Sequence, residues 1–443
     1  MIKKLKIFIK DKDALTLWMN NLLVLYAFLI PISQTIKSTV FTFIVILFLL
    51  RGNIVFYIKE ALKNRVVRAF VYLFLIYAVG LLWSENIKEG LYWVKSVKYG
   101  LYLMVFITFT DGRYISKVVS AFILGMLVSE LISYGMLLGV MPWSLTIGDI
   151  KFYTTRIIGD PSPFLNHIHY GVLLAFVVML LGQRVVYSES SKTVKIFMSL
   201  FILSATTNIF ITGGRTGYIT FLLLLLFLAI SYLRKYFIAL VIAGSLIFIA
   251  AYNASPLFKE NVIETKNSVK ELFSDKPNFE TSLGVRAGLF YYGFKAVKDD
   301  LYFGLGSGDS MDNIKKIVPK ELAYIHSEPH EHNQFLSVFV KLGIVGLLIF
   351  LNIYYQIFRY KQDDKELRFI MIVSSLAIAF GVLTTQFNLR VFLPLWVVML
   401  SVSMIDRQRE TIKHIKLDDK TQLLQIVSVG ALFSMASLLK QLF

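Results

Sequence analysis

Cysteine is absent from this sequence, so no disulfide can brace a loop and no thiol can serve as nucleophile or metal ligand. Acidic residues are few beside basic ones, 29 Asp and Glu against 46 Lys and Arg, for a formal charge of +17. In a soluble protein that imbalance would point to nucleic acid. Here the Lys and Arg residues fall mostly in alternate loops, the positive-inside arrangement of a membrane protein, and nucleic acid is not the expected partner. Also lacking is a small-residue cleavage signature after the basic start "MIKKLKIFIKDKDALTLW". The N-terminus is therefore expected to be retained and cytoplasmic.

Hydrophobic residues make up 56% of the chain and come in blocks. Runs such as "VVRAFVYLFLIYAVGLLW" and "TGYITFLLLLLFLAISYL" have the length, about 17 to 25 residues, that a helix needs to cross a bilayer. Reading these runs against the basic loops predicts an all-α polytopic membrane protein of about twelve transmembrane helices. They lie near Leu15–Ile32, Ser38–Leu50, Val66–Trp83, Val94–Phe109, Val118–Val140, Tyr170–Val186, Val194–Thr212, Thr216–Leu233, Tyr236–Tyr252, Gln334–Phe358, Phe369–Gln386 and Val391–Ile405.

That reading divides the chain into an N-terminal bundle (1–252), a large outer loop (253–333), a C-terminal set of helices (334–405) and a cytoplasmic tail (406–443). The tail's apolar stretch Leu423–Phe443 either lies in the interface or crosses once more. Patterning in the outer loop, "RAGLFYYGFKAVKDD" before "GLGSGD", predicts short helices and a glycine turn.

The expected topology gathers chemistry on one side. Five of the six histidines, His167, His169, His326, His330 and His332, fall on the outer side, and His414 on the inner. Pro329 disfavours helix just before His332, which is then expected in the first turn of the following helix or at its cap. A neutral imidazole there would suit a general base for a hydroxyl proton. A metal set from His330, His332, Glu328 and Glu331 is the rival, but its spacing matches no compact zinc motif.

Arg215, in "ITGGRTGYITFLLLL", stands at the outer lip between two spans, and Arg286 stands early in an amphipathic stretch of the outer loop. Guanidinium forks suit phosphate oxygens, so two outer arginines near a base would fit a lipid-linked phosphate. Arg156, Asn166, His167 and His169 are candidates to line the same cavity. Glu130 is the acid well inside a span and calls for a partner within the bundle. Tyr291, Tyr292 and Tyr302 offer aromatic faces to sugar or lipid, or pack in a core.

These residues resemble the O-antigen ligase and polymerase superfamily of bacterial envelope glycosyltransferases. His332-Asn333, nine residues, Gly343, two residues and Gly346 is similar to the His-Asn(or Ser, Gln)-x9-Gly-x-x-Gly pattern of the ligases, at the outer end of a span after the large outer loop. Three further stretches agree: "LLWSENIKEGLYWVKSVKYGLYL", "TGGRTGYITFLL" with Arg215, and "GVRAGLFYYGFKAVKDDLYFGLGSGD" with Arg286.

The resemblance, closest to the ligases, implies transfer of a glycan from undecaprenyl diphosphate to lipid A-core at the periplasmic face of the inner membrane. It implies inversion, with no cofactor and no metal. The large outer loop is then periplasmic. On that implication His332 activates the acceptor hydroxyl, and Arg215 and Arg286 hold the diphosphate. Asn333, His330, Arg156, His167 and His169 would support the site. Gly343 and Gly346 are expected to let a neighbouring helix approach closely.

Polymerases and protein O-oligosaccharyltransferases share the resemblance. Polymerases often carry Arg-x10-Gly, whereas counting from Arg156, Arg215 and Arg286 reaches His167, Leu226 and Val297. A transporter or flippase would place ionisable residues at the membrane midplane, where Glu130 is nearly alone.

Overall fold

The computed structural model describes residues 11–147, 150–155, 160–231, 234–387 and 391–408. The expectations for the first ten residues, Arg156, His414 and Leu423–Phe443 lie outside them. Among the described residues the protein is predominantly α-helical. Among the described residues, seven helices are long and apolar enough to cross a membrane: Gln34–Arg51, Arg65–Trp83, Gly112–Leu137, His167–Tyr187, Lys192–Ile211, Phe237–Ala254 and Gln334–Phe358. The shorter apolar helices Arg215–Ser231 and Phe392–Ser403 pack among them.

Helix starts follow from local side-chain chemistry. Asn64, Asn166, Ser191, Asn333 and Asp364 each accept a hydrogen bond from a first-turn amide with their own side chain, satisfying donors that the helix leaves open. Apolar burial gives little drive between helices in lipid, so close approach and polar contacts set the packing. Gly171 and Gly217 provide one such approach: a Cβ added to either would lie within 3 Å of the other's Cα. This crossing seats the start of Arg215–Ser231 against the start of His167–Tyr187. Trp396, fully buried, donates from its indole nitrogen to Ser375 Oγ at 2.8 Å and meets Phe70 edge-on.

Three features depart from the sequence reading. The run expected as one span over Val94–Phe109 is two helices, Ile87–Val97 and Tyr102–Phe109, joined by a 3₁₀ turn at Lys98–Leu101. The polar stretch after Met141 holds an antiparallel hairpin of Ser144–Ile147 with Ile150–Thr154. Its signal was in "SLTIGDIKFYT", two short runs around Gly-Asp. The third departure is a break inside Gln334–Phe358 at Gly343, whose φ is 64°.

Between the membrane-length helices Phe237–Ala254 and Gln334–Phe358, the chain forms Pro256–Leu272, Ser282–Val297, Ser310–Ile317 and Ala323–Ser327. Val285, Leu289, Val297, Ile314 and Ile325 build a small core that is completed by Leu336 and Val340 of the long helix. The segment is thereby fastened to the end of Gln334–Phe358 that carries His332.

Candidate functional site

The site is built on "SEPHEHNQ", residues 327–334. Helix Ala323–Ser327 ends before Pro329, and Asn333 caps the next helix, accepting from the Leu336 amide at 3.0 Å and donating to the Leu383 carbonyl at 2.8 Å. His332 therefore sits one residue before the cap rather than in the cap or first turn. Its φ is +53°, in the left-handed region that residues other than Gly uncommonly adopt, His, Asn and Asp more readily than most. Such a conformation persists where the surroundings fix it; here Glu331 and Asn333 on either side are both buried and bonded.

His332 Nε2 lies 2.6 Å from Glu328 Oε2. The bond to His332 holds the Glu328 carboxyl below the usual carboxylate range, against the effect of partial burial. A carboxylate only accepts, so Nε2 carries the proton, and the Nδ1 lone pair is the basic position. Nδ1 is shielded from solvent and has no hydrogen-bond partner among the described residues. The His330 ring lies 4.3 Å from the His332 ring, and burial first, then the neighbouring His332, pull its pKa down to about 4. His330 is thus a neutral neighbour near pH 7.

Arg286, on Ser282–Val297, donates from Nη1 to the Ser282 carbonyl at 2.7 Å and to Ser282 Oγ at 3.0 Å. Its Nε is buried with no partner among the described residues. Burial first, and the charge of Arg215 second, lower its pKa, so the two guanidinium groups feel each other. Arg215 is held from Pro256–Leu272, donating from Nε to Asn261 Oδ1 at 3.1 Å and from Nη2 to Glu264 Oε2 at 2.5 Å.

Two cavities meet at His332 and Glu328, which line both. One, of about 420 Å³, is walled by Arg286, Ser282, Tyr324 and Glu264, the carboxylate that engages Arg215. The other, of about 790 Å³, is walled by Tyr92, Trp93, Asp312, His330 and Gln386 among others.

Beneath them lies a closed polar network. Glu331 and Lys341 are completely buried, 2.6 Å apart. Lys341 also donates to Ser337 Oγ at 2.7 Å and sits over the Trp93 ring, and Gln386 bonds the second Glu331 oxygen. Lys341 holds the Glu331 carboxyl far below its ordinary range although burial alone would raise it.

The helix break follows directly after Lys341. The Val340 and Lys341 carbonyls accept from the Leu305 and Gly306 amides, and the Ile344 and Val345 amides donate to the Leu301 and Tyr302 carbonyls. Every freed backbone group named here is paired within the protein, the condition for irregular backbone at membrane depth. A Cβ at Gly343 would fall 2.3 Å from the Tyr302 carbonyl. The close approach expected there is thus made by the 301–306 turn and not by a neighbouring helix, and at Gly346 an added Cβ would meet Leu342 of its own helix.

Residues 198–351, which span Arg215, Arg286, His332 and Gly343, match the family model described as O-antigen ligase. Over this segment the chain is similar to the O-antigen ligase and polymerase superfamily. An uncharacterized protein of Haemophilus influenzae is 26% identical over 250 residues, covering 52% of this chain. The chain spans 61% of that relative's length.

Of the residues singled out for their superfamily resemblance or their expected side, His332, His330 and His169 line the larger cavity, and Arg286 shares the smaller one with His332. Arg215 reaches that cavity through Glu264. Asn166 caps His167–Tyr187 and lines the larger cavity, whereas His167 turns to Asp160, Nδ1 to Oδ2 at 2.8 Å. Tyr292 is buried in the small core, and Tyr291 and Tyr302 line neither cavity.

Glu328 had been legible only as a metal ligand, although its place four residues before His332 is the signal for its partnership. Glu331, the other acid of that set, turns to Lys341, and among the described residues no three His, Asp or Glu side chains converge as a metal-ligand set. Glu264, Asn261, Lys341 and Gln386 were not found from sequence. Only the buried position of Lys341 inside an apolar run could have marked it.

Proposed function

We propose that this protein is an O-antigen ligase, transferring a glycan from undecaprenyl diphosphate to lipid A-core at the periplasmic face of the inner membrane, with inversion at the anomeric carbon. The observation that carries the reading is the cavity in which His332 and Arg286 stand together, with Arg215 one carboxylate away.

On this reading the acceptor hydroxyl loses its proton to His332 Nδ1 as its oxygen attacks the anomeric carbon of the donor's first sugar. The bond from that carbon to the diphosphate oxygen breaks, and its electron pair leaves with the diphosphate. Arg286 and Arg215 face the charge that develops, and the diphosphate takes the place of Glu264 on Arg215. Glu328 orients the imidazole and balances the positive charge it gains. The chain's own groups supply a base and an anion site, and a diphosphate leaving group needs no protonating acid.

The test is deletion in the native host, with separation of lipopolysaccharide from lipid-linked glycan. Uncapped core with unused lipid-linked polymer supports the ligase. Attachment of single repeats means a polymerase, and under-glycosylated envelope protein means an oligosaccharyltransferase. Orientation is checked with cysteines introduced at the exposed Ser144, Ser274 and Ser190. An impermeant thiol reagent should label the first two and spare the third, and labelling of Ser190 would reverse the sidedness.

A further inference from the structure

The smaller cavity has the arginine, the hydroxyl-bearing wall and the link to Arg215, which accounts for a diphosphate. The larger one, about 790 Å³, meets it at His332 and Glu328 and has no arginine among the described residues of its wall. In an inverting displacement the incoming oxygen and the leaving group lie on opposite sides of the anomeric carbon, so the acceptor must approach from the side away from the diphosphate.

The wall of the larger cavity suits a saccharide. Tyr92, half-exposed on Ile87–Val97, offers an aromatic face. The indole of Trp93 is packed edge-on against it at 5.2 Å, with Lys341 behind. Asp312 and Lys315, one turn apart on Ser310–Ile317, supply an acceptor and a donor at the rim, and Asn86 Nδ2 fixes Asp312 Oδ2 at 2.8 Å. An aromatic plate flanked by planar polar groups is the pattern that takes up one apolar sugar face and its ring hydroxyls.

We infer that this cavity is the acceptor site, holding the terminal saccharide of the acceptor on Tyr92, Asp312 and Lys315 so that its reacting hydroxyl meets His332. The inference rests on the transfer reading above and adds to it the residues that choose the acceptor.

The experiment uses the purified full chain in lipid nanodiscs, with lipid-linked glycan as donor and lipid A-core as acceptor, varying one while the other is saturating. Asp312→Asn and Tyr92→Ala should each raise the acceptor KM about tenfold, the scale of one charged hydrogen bond or one stacked ring, and leave the donor KM unmoved. Arg286→Lys should do the reverse. Asp312 is exposed, so its variant keeps the fold if the more buried side should not. A rise in donor KM with acceptor KM unchanged overturns the inference and places the donor glycan in this cavity, leaving the transfer reading intact. No transfer by the wild-type protein to lipid A-core overturns both.

Discussion

Two acids in the same short loop have opposite surroundings. Glu331 is completely buried and both its oxygens are taken, by Lys341 and Gln386, while Lys341 is itself bonded to Ser337 and stacked over Trp93. Glu328, three residues earlier, is half-exposed between two cavities, and its partner His332 keeps a ring nitrogen without a partner among the described residues, as Arg286 keeps its Nε. A charge network that is satisfied everywhere is a clamp. One left incomplete beside two cavities is free to take up a further partner. On the proposed transfer reading, Glu331 and Lys341 hold the loop, and Glu328, His332 and Arg286 serve the substrate.

The largest effect should come from breaking the clamp on one side. Lys341→Met leaves Glu331 buried without its cation and is expected to cost about 3–5 kcal/mol, read as a lowered unfolding temperature of the purified protein. Adding Glu331→Gln should recover most of that loss, since removing both charges removes the need for either. A double variant as unstable as the single would mean that the pair is not a closed unit.

On the open side, His332→Ala should lower transfer by at least about 10²-fold with the unfolding temperature near that of wild type. Glu328→Gln should fall with it in kcat, because an amide can accept the wrong tautomer of the ring as well as the right one. Normal transfer by His332→Ala would end its assignment as base.

A smaller effect, about 10- to 100-fold in donor KM, is expected for Arg286→Ala, the loss of charged hydrogen bonds to phosphate. Arg286→Lys should recover little, since a point charge does not reproduce the fork.

The smallest effect belongs to His330. Its pKa of about 4, against an ordinary 6.5, means that the folded protein refuses a proton which the unfolded chain binds. Stability is therefore present above about pH 6.5 and is lost as pH falls toward 4. His330→Ala should blunt that acid sensitivity in thermal unfolding and leave the acid side of the activity profile in place above about pH 5. A shifted activity profile would give His330 a share in the proton transfer.

The membrane class follows from the apolar runs and basic loops, and His332 with Arg286 stood out through residue type and spacing, because bilayer thickness, backbone hydrogen bonding and phosphate chemistry act through local sequence. A helix start near His332 was visible as letters, but not that Asn333 would be its cap or that Gly343 would break the helix. What the letters could not carry was partnership across distance. Glu264 meets Arg215 from another helix, Gln386 meets Glu331 across 55 positions, and the 301–306 turn fills the break at Gly343.

Each of those pairings depends on which helix faces which. In a bilayer, lipid covers an apolar face as well as protein does, so apolar patterning leaves the neighbours open. Composition and periodicity thus determined that helices form and which residues could do chemistry. Only the packed arrangement decided that two cavities meet at His332 and that Arg286 shares one of them.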